Sequence, residues 1–266
     1  MASALAHRSR SRSPTSCVYQ PTARCLPIVL QPSEIERALV VTAHPDDVDF
    51  VAAGTVAHLT DAGVGVTYCL VTDGQAGGFD QTVPRPRMAE IRREEQTRAA
   101  AEVGVVDLVF LGIMDGAVEF GLDLRRRISR VIRQVRPQVV ITQSPVIDIA
   151  SVYGSHADHV ATGQATWAAV YPDARNPFAF PELLQEGLEP WAVDEIWIML
   201  GPDSNETVDI TDQLDRKIRA LRCHESQHRD PDAMEQGVRE WYHGLARDGG
   251  LADGRSAERF FVADAR

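Results

Sequence analysis

Residues 38 to 49 read Ala-Leu-Val-Val-Thr-Ala-His-Pro-Asp-Asp-Val-Asp, and they limit what the chain can become more than any other stretch. The apolar, β-branched run 38–43 predicts a buried strand. Pro45 has no N–H to give a ladder and pushes His44 into extended backbone, so the strand ends there. His44, Asp46 and Asp47 therefore stand at a strand's carboxyl end, where open α/β sheets bind ligands. An imidazole and two carboxylates within four residues are half of a metal site with donors that zinc accepts. An N-cap role accounts equally well for Asp46 or Asp47 before a helix. It gives no reason for the imidazole.

Strand and helix signals alternate from residue 37 onward. Phe50, Val51, Val56 and Leu59 form a helical stripe closed by Asp61-Ala62-Gly63. A strand over 64–72 ends in the glycine-rich turn 73–78, which lacks both the G-x-G-x-x-G and the P-loop pattern. Its glycines read as places where backbone approaches a substrate. A charged helix follows over 87–103, most of its charge a solvated face. Then come a strand over 107–111, a helix over 124–135, a strand over 139–142, a strand over 195–200, a helix over 212–222 and a last strand over 260–262. Each early strand leads through a turn into a helix. The expected fold is α/β, a Rossmann-like, mostly parallel sheet with helices on both faces and the active site at the strand carboxyl ends. Four prolines between 172 and 190 suggest a long loop over the site.

A length of 266 residues suits one large domain. The net charge of −11 argues against nucleic acid or anionic lipid as partner. Cys17, Cys25, Cys69 and Cys223 form no paired motif and fit neither a disulfide framework nor a thiolate metal site. With no apolar run long enough to span a membrane, a cytoplasmic setting is expected. Residues 1–33, Arg- and Ser-rich at the start, read as a flexible extension, and residues 34–266 as the folded domain. Cys25 to Leu30 could pack on that domain as a short strand.

The second half of the site lies at Tyr153-Gly-Ser-His156-Ala-Asp158-His159, opening a helix that continues through Ala169. Ser155 with Asp158 fits a capping box but leaves both histidines unexplained. In a first helical turn the dipole disfavours protonation of an imidazole and helps keep it able to bind metal. Two histidines, one aspartate and a water make a four-coordinate site with one exchangeable position.

With these two motifs the chain resembles the LmbE-like or PIG-L zinc deacetylases over about residues 37–225. The matching segments are Ala43-His-Pro-Asp-Asp47 and His156-Ala-Asp-His159. The resemblance implies one zinc ion per chain on His44, Asp47 and His159, with Asp46 as general base. It further implies His156, oriented by Asp158, on the other side of the scissile carbonyl. Arg92, Asp115 and Tyr153 would contact the substrate, although Ser155 separates Tyr153 from the histidine by an extra residue, and a helix charge and a turn former also account for Arg92 and Asp115. Asp49 takes the acidic place that glutamate often holds one position earlier, and Gln75 stands where a glutamate often follows the turn. The implied activity is hydrolysis of an N-acyl, most simply N-acetyl, group on a small GlcNAc-type amino-sugar conjugate. An amidase for larger conjugates and a non-catalytic sugar-binding protein remain open, as does homo-oligomerisation. His224-Glu-Ser-Gln227 is either structural or substrate-contacting, and Trp241-Tyr242 either apolar cover or a lid.

Overall fold

The apolar runs gather into one sheet because their alternate side chains need cover on both faces. The computed structural model describes residues 29–149, 152, 155–199 and 203–266. Among these, the strands are β1 (Arg37–Thr42), β2 (Gly65–Thr72), β3 (Asp107–Ile113), β4 (Val139–Gln143), β5 (Glu195–Met199), β6 (Glu206–Asp209) and β7 (Ala257–Asp264). They are hydrogen-bonded in the order β3-β2-β1-β4-β5-β7-β6. The first five run parallel, and β7 is antiparallel to both β5 and β6. The sheet is thus the expected one, with β6 an addition that its four residues gave no pattern to reveal.

The helices are α1 (Asp47–Val51), α2 (Ala53–Asp61), α3 (Arg85–Glu102), α4 (Leu122–Val135), α5 (Ala157–Ala168), α6 (Pro181–Gln185), α7 (Leu214–Arg222) and α8 (Pro231–Asp248). Val40 and Ile141 meet Val56 and Leu59 of α2 and Ala99 of α3 on one face. Leu39, Val41 and Val140 meet Ile128 and Ile132 of α4 and Ala165 of α5 on the other. This is why β1 reads as an unbroken apolar run rather than an alternation. From β1 the chain builds outward to β2 and β3, then crosses back to β4 on β1's other side. The crevice at that reversal opens at the carboxyl ends of β1 and β4.

Two expectations need correction. The helix expected through Phe50 and Leu59 is divided at Ala52. The segment 172–190 does not lie over the site. Arg133 of α4 binds the carbonyls of Asp173, Ala174, Asn176 and Ala179, and the Trp191 indole donates to Pro137 just before β4. The segment is therefore tied down at the amino end of β4, away from the crevice. Val29 and Leu30 pack against the core, the alternative left open for the segment from Cys25 to Leu30; Cys17, Cys25 and the rest of residues 1–28 lie outside the described residues.

A buried ion pair fixes α1 and α2 beneath the crevice. Lys217 Nζ lies 2.7 Å from Glu258 and donates to the Phe50 carbonyl, and Glu258 accepts the N–H groups of Gly54 and Thr55. Both side chains are fully buried. Removing one partner strands the other charge, which typically costs about 3–5 kcal/mol. Lys217→Met is expected to lower unfolding free energy by that order in urea titration; a loss of under about 1 kcal/mol would mean that the pair is dispensable.

Candidate active site

Pro45 ends β1, and the chain then turns sharply: Asp46 has φ 89° and ψ −29°, the left-handed region. That turn sends two successive carboxylates to different neighbours. The Asp47 carboxylate accepts the His44 N–H (2.7 Å) and the Gln143 amide (2.9 Å), and it lies 3.5 Å from His44 Nδ1 and 3.1 Å from His159 Nε2. His44 Nδ1 and His159 Nε2 are 3.2 Å apart. Donors around a tetrahedral ion with bonds of about 2.0–2.1 Å stand about 3.3–3.5 Å from one another. The donors of His44, Asp47 and His159 are thus spaced as a single metal ion would require. His156 also lies close enough to the two other imidazoles to form a second group of three donors with them.

On its far side His44 Nε2 lies 3.1 Å from Asp115 and 3.2 Å from Asp158. A carboxylate behind a ligating histidine fixes its tautomer and raises its basicity. Asp158 is in turn held by the N–H groups of Gly116 and Val118. The carboxylate of Asp158 thus serves His44, not His156 as the resemblance implied. Asp158 is joined to His156 through its backbone N–H, which donates to His156 Nδ1 at 3.2 Å. His156 is thereby the N-cap of α5; Ser155, the expected cap, bonds Asp148 instead. With Nδ1 accepting, the proton of a neutral His156 sits on Nε2.

Asp46 makes no capping hydrogen bond, which removes the structural reading weighed for it. Its Oδ2 accepts Arg92 Nη2 at 2.7 Å, and its N–H donates to Gln96 Oε1 at 2.8 Å. Burial raises the Asp46 pKa, Arg92 pulls it back, and the net shift is upward. Burial would also raise Asp47, but His159 and His44 outweigh it and hold Asp47 well below the carboxylate range. Neighbours in sequence, the two carboxylates have pKa values displaced in opposite directions.

Arg92 was expected at the substrate. It is only 4% exposed and spends its guanidinium on Asp46, the Pro45 carbonyl and the Gly74 carbonyl. The glycines of the 73–78 turn make room for it: a Cβ on Gly74 or Gly77 would fall 2.3 or 2.5 Å from Arg92 Nη1. Asp115 gives its second oxygen to the Ala76 N–H. Tyr153 lies outside the described residues. Gln96 and Gln143 were missed; both are buried polar residues, and Gln143, a glutamine closing an apolar strand, offered the one readable signal. His224 and Ser226 are structural, bound to Asp49 and Glu95. Trp241 lines the same cavity as Asp47 and His159.

A model of the GlcNAc-PI de-N-acetylase family, PIG-L, matches residues 39–170. The chain is 33% identical over 195 residues to diacetylchitobiose deacetylase of Thermococcus kodakarensis, covering 73% of this chain and 71% of that protein. The chain belongs to the PIG-L family. A probable N-acetyl-α-D-glucosaminyl L-malate deacetylase 2 of Bacillus cereus is 34% identical over 198 residues, covering 72% of this chain and 83% of that one. Among solved structures, N,N'-diacetylchitobiose deacetylase of Pyrococcus horikoshii superposes with a TM-score of 0.80 at 28% identity, covering 87% of this chain and 85% of that chain.

Burial works to lower the His44 pKa, but Asp115, Asp158 and Asp47 overcome it and push it up to about 12. A histidine so raised stabilises the metal-free fold fully below its ordinary pKa, and that stability is lost only as pH climbs toward about 12. A metal ion has to displace this proton from Nδ1. Affinity for a divalent ion is therefore expected to fall about tenfold per pH unit between about pH 8 and pH 6, with proton release visible by calorimetry. A pH-independent affinity would contradict the ligand assignment.

Proposed function

We propose that this chain is a zinc-dependent hydrolase that removes an N-acyl group from a small GlcNAc-type amino-sugar conjugate. The observation that carries the reading is the division of labour at residues 46 and 47, where one carboxylate lies against two imidazoles and the next is backed by an arginine. Nitrogen and carboxylate donors at these spacings suit zinc, and the deacetylase relatives support the reaction class. His44, Asp47 and His159 would hold the ion, which when bound would acidify a water and polarise the amide carbonyl.

The remaining roles belong to the chain. No described group hydrogen-bonds Asp46 Oδ1, which leaves that oxygen to take a proton from the attacking water. Arg92 and Gln96 hold the carboxylate and its backbone while this happens. An upward-shifted pKa makes Asp46 a better base, and then a better acid for returning the proton to the leaving nitrogen. His156 Nε2–H donates to the carbonyl oxygen as negative charge gathers there. Asp115 keeps acceptor capacity beyond its two protein bonds, and the reading assigns it, with Tyr153, to sugar hydroxyls. It also takes residues 34–266 as the catalytic domain. No helix among the described residues is long and apolar enough to cross a membrane, and free Cys69 and Cys223 fit a cytoplasmic setting.

The test is release of free amine from N-acetylglucosaminyl compounds with and without a chelator. Asp46→Asn is expected to cut turnover about 10²- to 10⁴-fold while bound metal, counted by elemental analysis, stays near one ion per chain. Loss of the metal in that variant would mean that the two aspartates have exchanged roles.

A further inference from the structure

The crevice divides by polarity. Toward β2 and β3 it presents Asp46, Asp115 and the backbone of the glycine-rich turn, with Arg92 buried behind Asp46. Toward β4 and β5 lies a cavity of about 200 Å³ that touches Asp47 and His159 and is otherwise walled by Phe50, Val51, Met199 and Trp241, with Gln143 and Ser144 at its polar edge. No step assigned above uses those four apolar side chains. Val51 and Met199 also pack in the sheet core and Phe50 against the α7–α8 cluster, whereas Trp241, 42% exposed, comes from α8.

Orientation follows from the chemistry, and this step rests on the hydrolase reading above. The leaving nitrogen must face Asp46, which returns its proton, and its sugar substituent then lies on the polar side. The acyl group, across the carbonyl, points toward β4 and β5. A methyl group fills about as much space as a water, roughly 30 Å³. An acetyl methyl, with an ion and a water of about 30 Å³ beside Asp47 and His159, would thus leave about half of the cavity empty, and an apolar wall without a partner forfeits its contacts.

We infer that the cavity between Asp47, His159 and Trp241 is an acyl pocket, and that the chain's substrates carry an N-acyl group longer than acetyl, a straight chain of about four to six carbons. Hydrolysis breaks the C–N bond, forms a C–O bond from water, and yields the fatty acid and the free amino sugar.

The experiment compares N-acetyl-, N-butyryl- and N-hexanoylglucosamine by amine release from the metal-loaded protein and by calorimetric binding to the metal-free protein. Each buried methylene is worth about three- to fourfold, so kcat/KM is expected to rise from acetyl to butyryl to hexanoyl, with tighter binding in the same order. Val51→Phe, one helical turn from Asp47, should reverse that order, and Trp241→Ala should shift the preference to longer chains; melting temperature and metal content identify any variant that misfolds. Turnover of the acetyl compound with a lower kcat/KM for butyryl would overturn the acyl pocket and leave the hydrolase reading intact. Absence of amine from every compound would overturn both.

Discussion

The site depends on a left-handed turn at a residue that is not glycine. Such a conformation costs about 1–2 kcal/mol, and here it is held on three sides. Gln96 accepts the Asp46 N–H, Arg92 binds the Pro45 carbonyl, and Gln143 takes the Ala43 N–H while donating to Asp47. Without the turn, Asp46 and Asp47 would follow ordinary helical geometry. With it, one carboxylate joins two imidazoles and the other lies under a buried arginine. Strain kept where the surroundings over-determine it is characteristic of functional sites.

The supports come from elements far apart in sequence, which is how the fold and the site explain each other. Gln96 and Arg92 lie one turn apart on α3. Gln96 also donates to Asp49, which binds His224 beyond α7. Glu95 on the same helix holds Ser226. One helix thus ties the ligand loop, the glycine-rich turn and the C-terminal third together at the carboxyl end of the sheet. Topology then sets the polarity of the crevice. The loops after β2 and β3 bring glycines and carboxylates, whereas β5 and α8 bring Met199 and Trp241.

The sheet, and the meeting of His44, Asp47 and His159, were legible because their signals are local. An apolar run stopped by proline, and histidines in a helix's first turn, need no tertiary context to be read. What escaped was whatever depends on which side of α3 faces inward. Its composition is so polar that Arg92, Glu95 and Gln96 look like solvated positions, yet all three are buried. The resemblance places Arg92 at the substrate, whereas in the fold its length and charge serve Asp46. The glycines of the 73–78 turn were read as room for a ligand, and they are room for that guanidinium. The proline-rich segment 172–190 misled in another way: loop length is visible in a sequence, but the end of the sheet it returns to is decided by Arg133 and its carbonyl partners. His156 was expected to rely on a carboxylate, and the shorter path from the Asp158 backbone won.

The central claim is that His44 binds a metal ion through Nδ1, together with Asp47 and His159, while Asp115 and Asp158 hold Nε2. Both sides of that imidazole carry donors close enough to gather around an ion, so position decides. Diffraction from zinc-soaked crystals on either side of the zinc absorption edge measures it directly. The account predicts one anomalous peak about 2.0–2.2 Å from His44 Nδ1, Asp47 and His159 Nε2. A peak between His44 Nε2, Asp115 and Asp158 would contradict it.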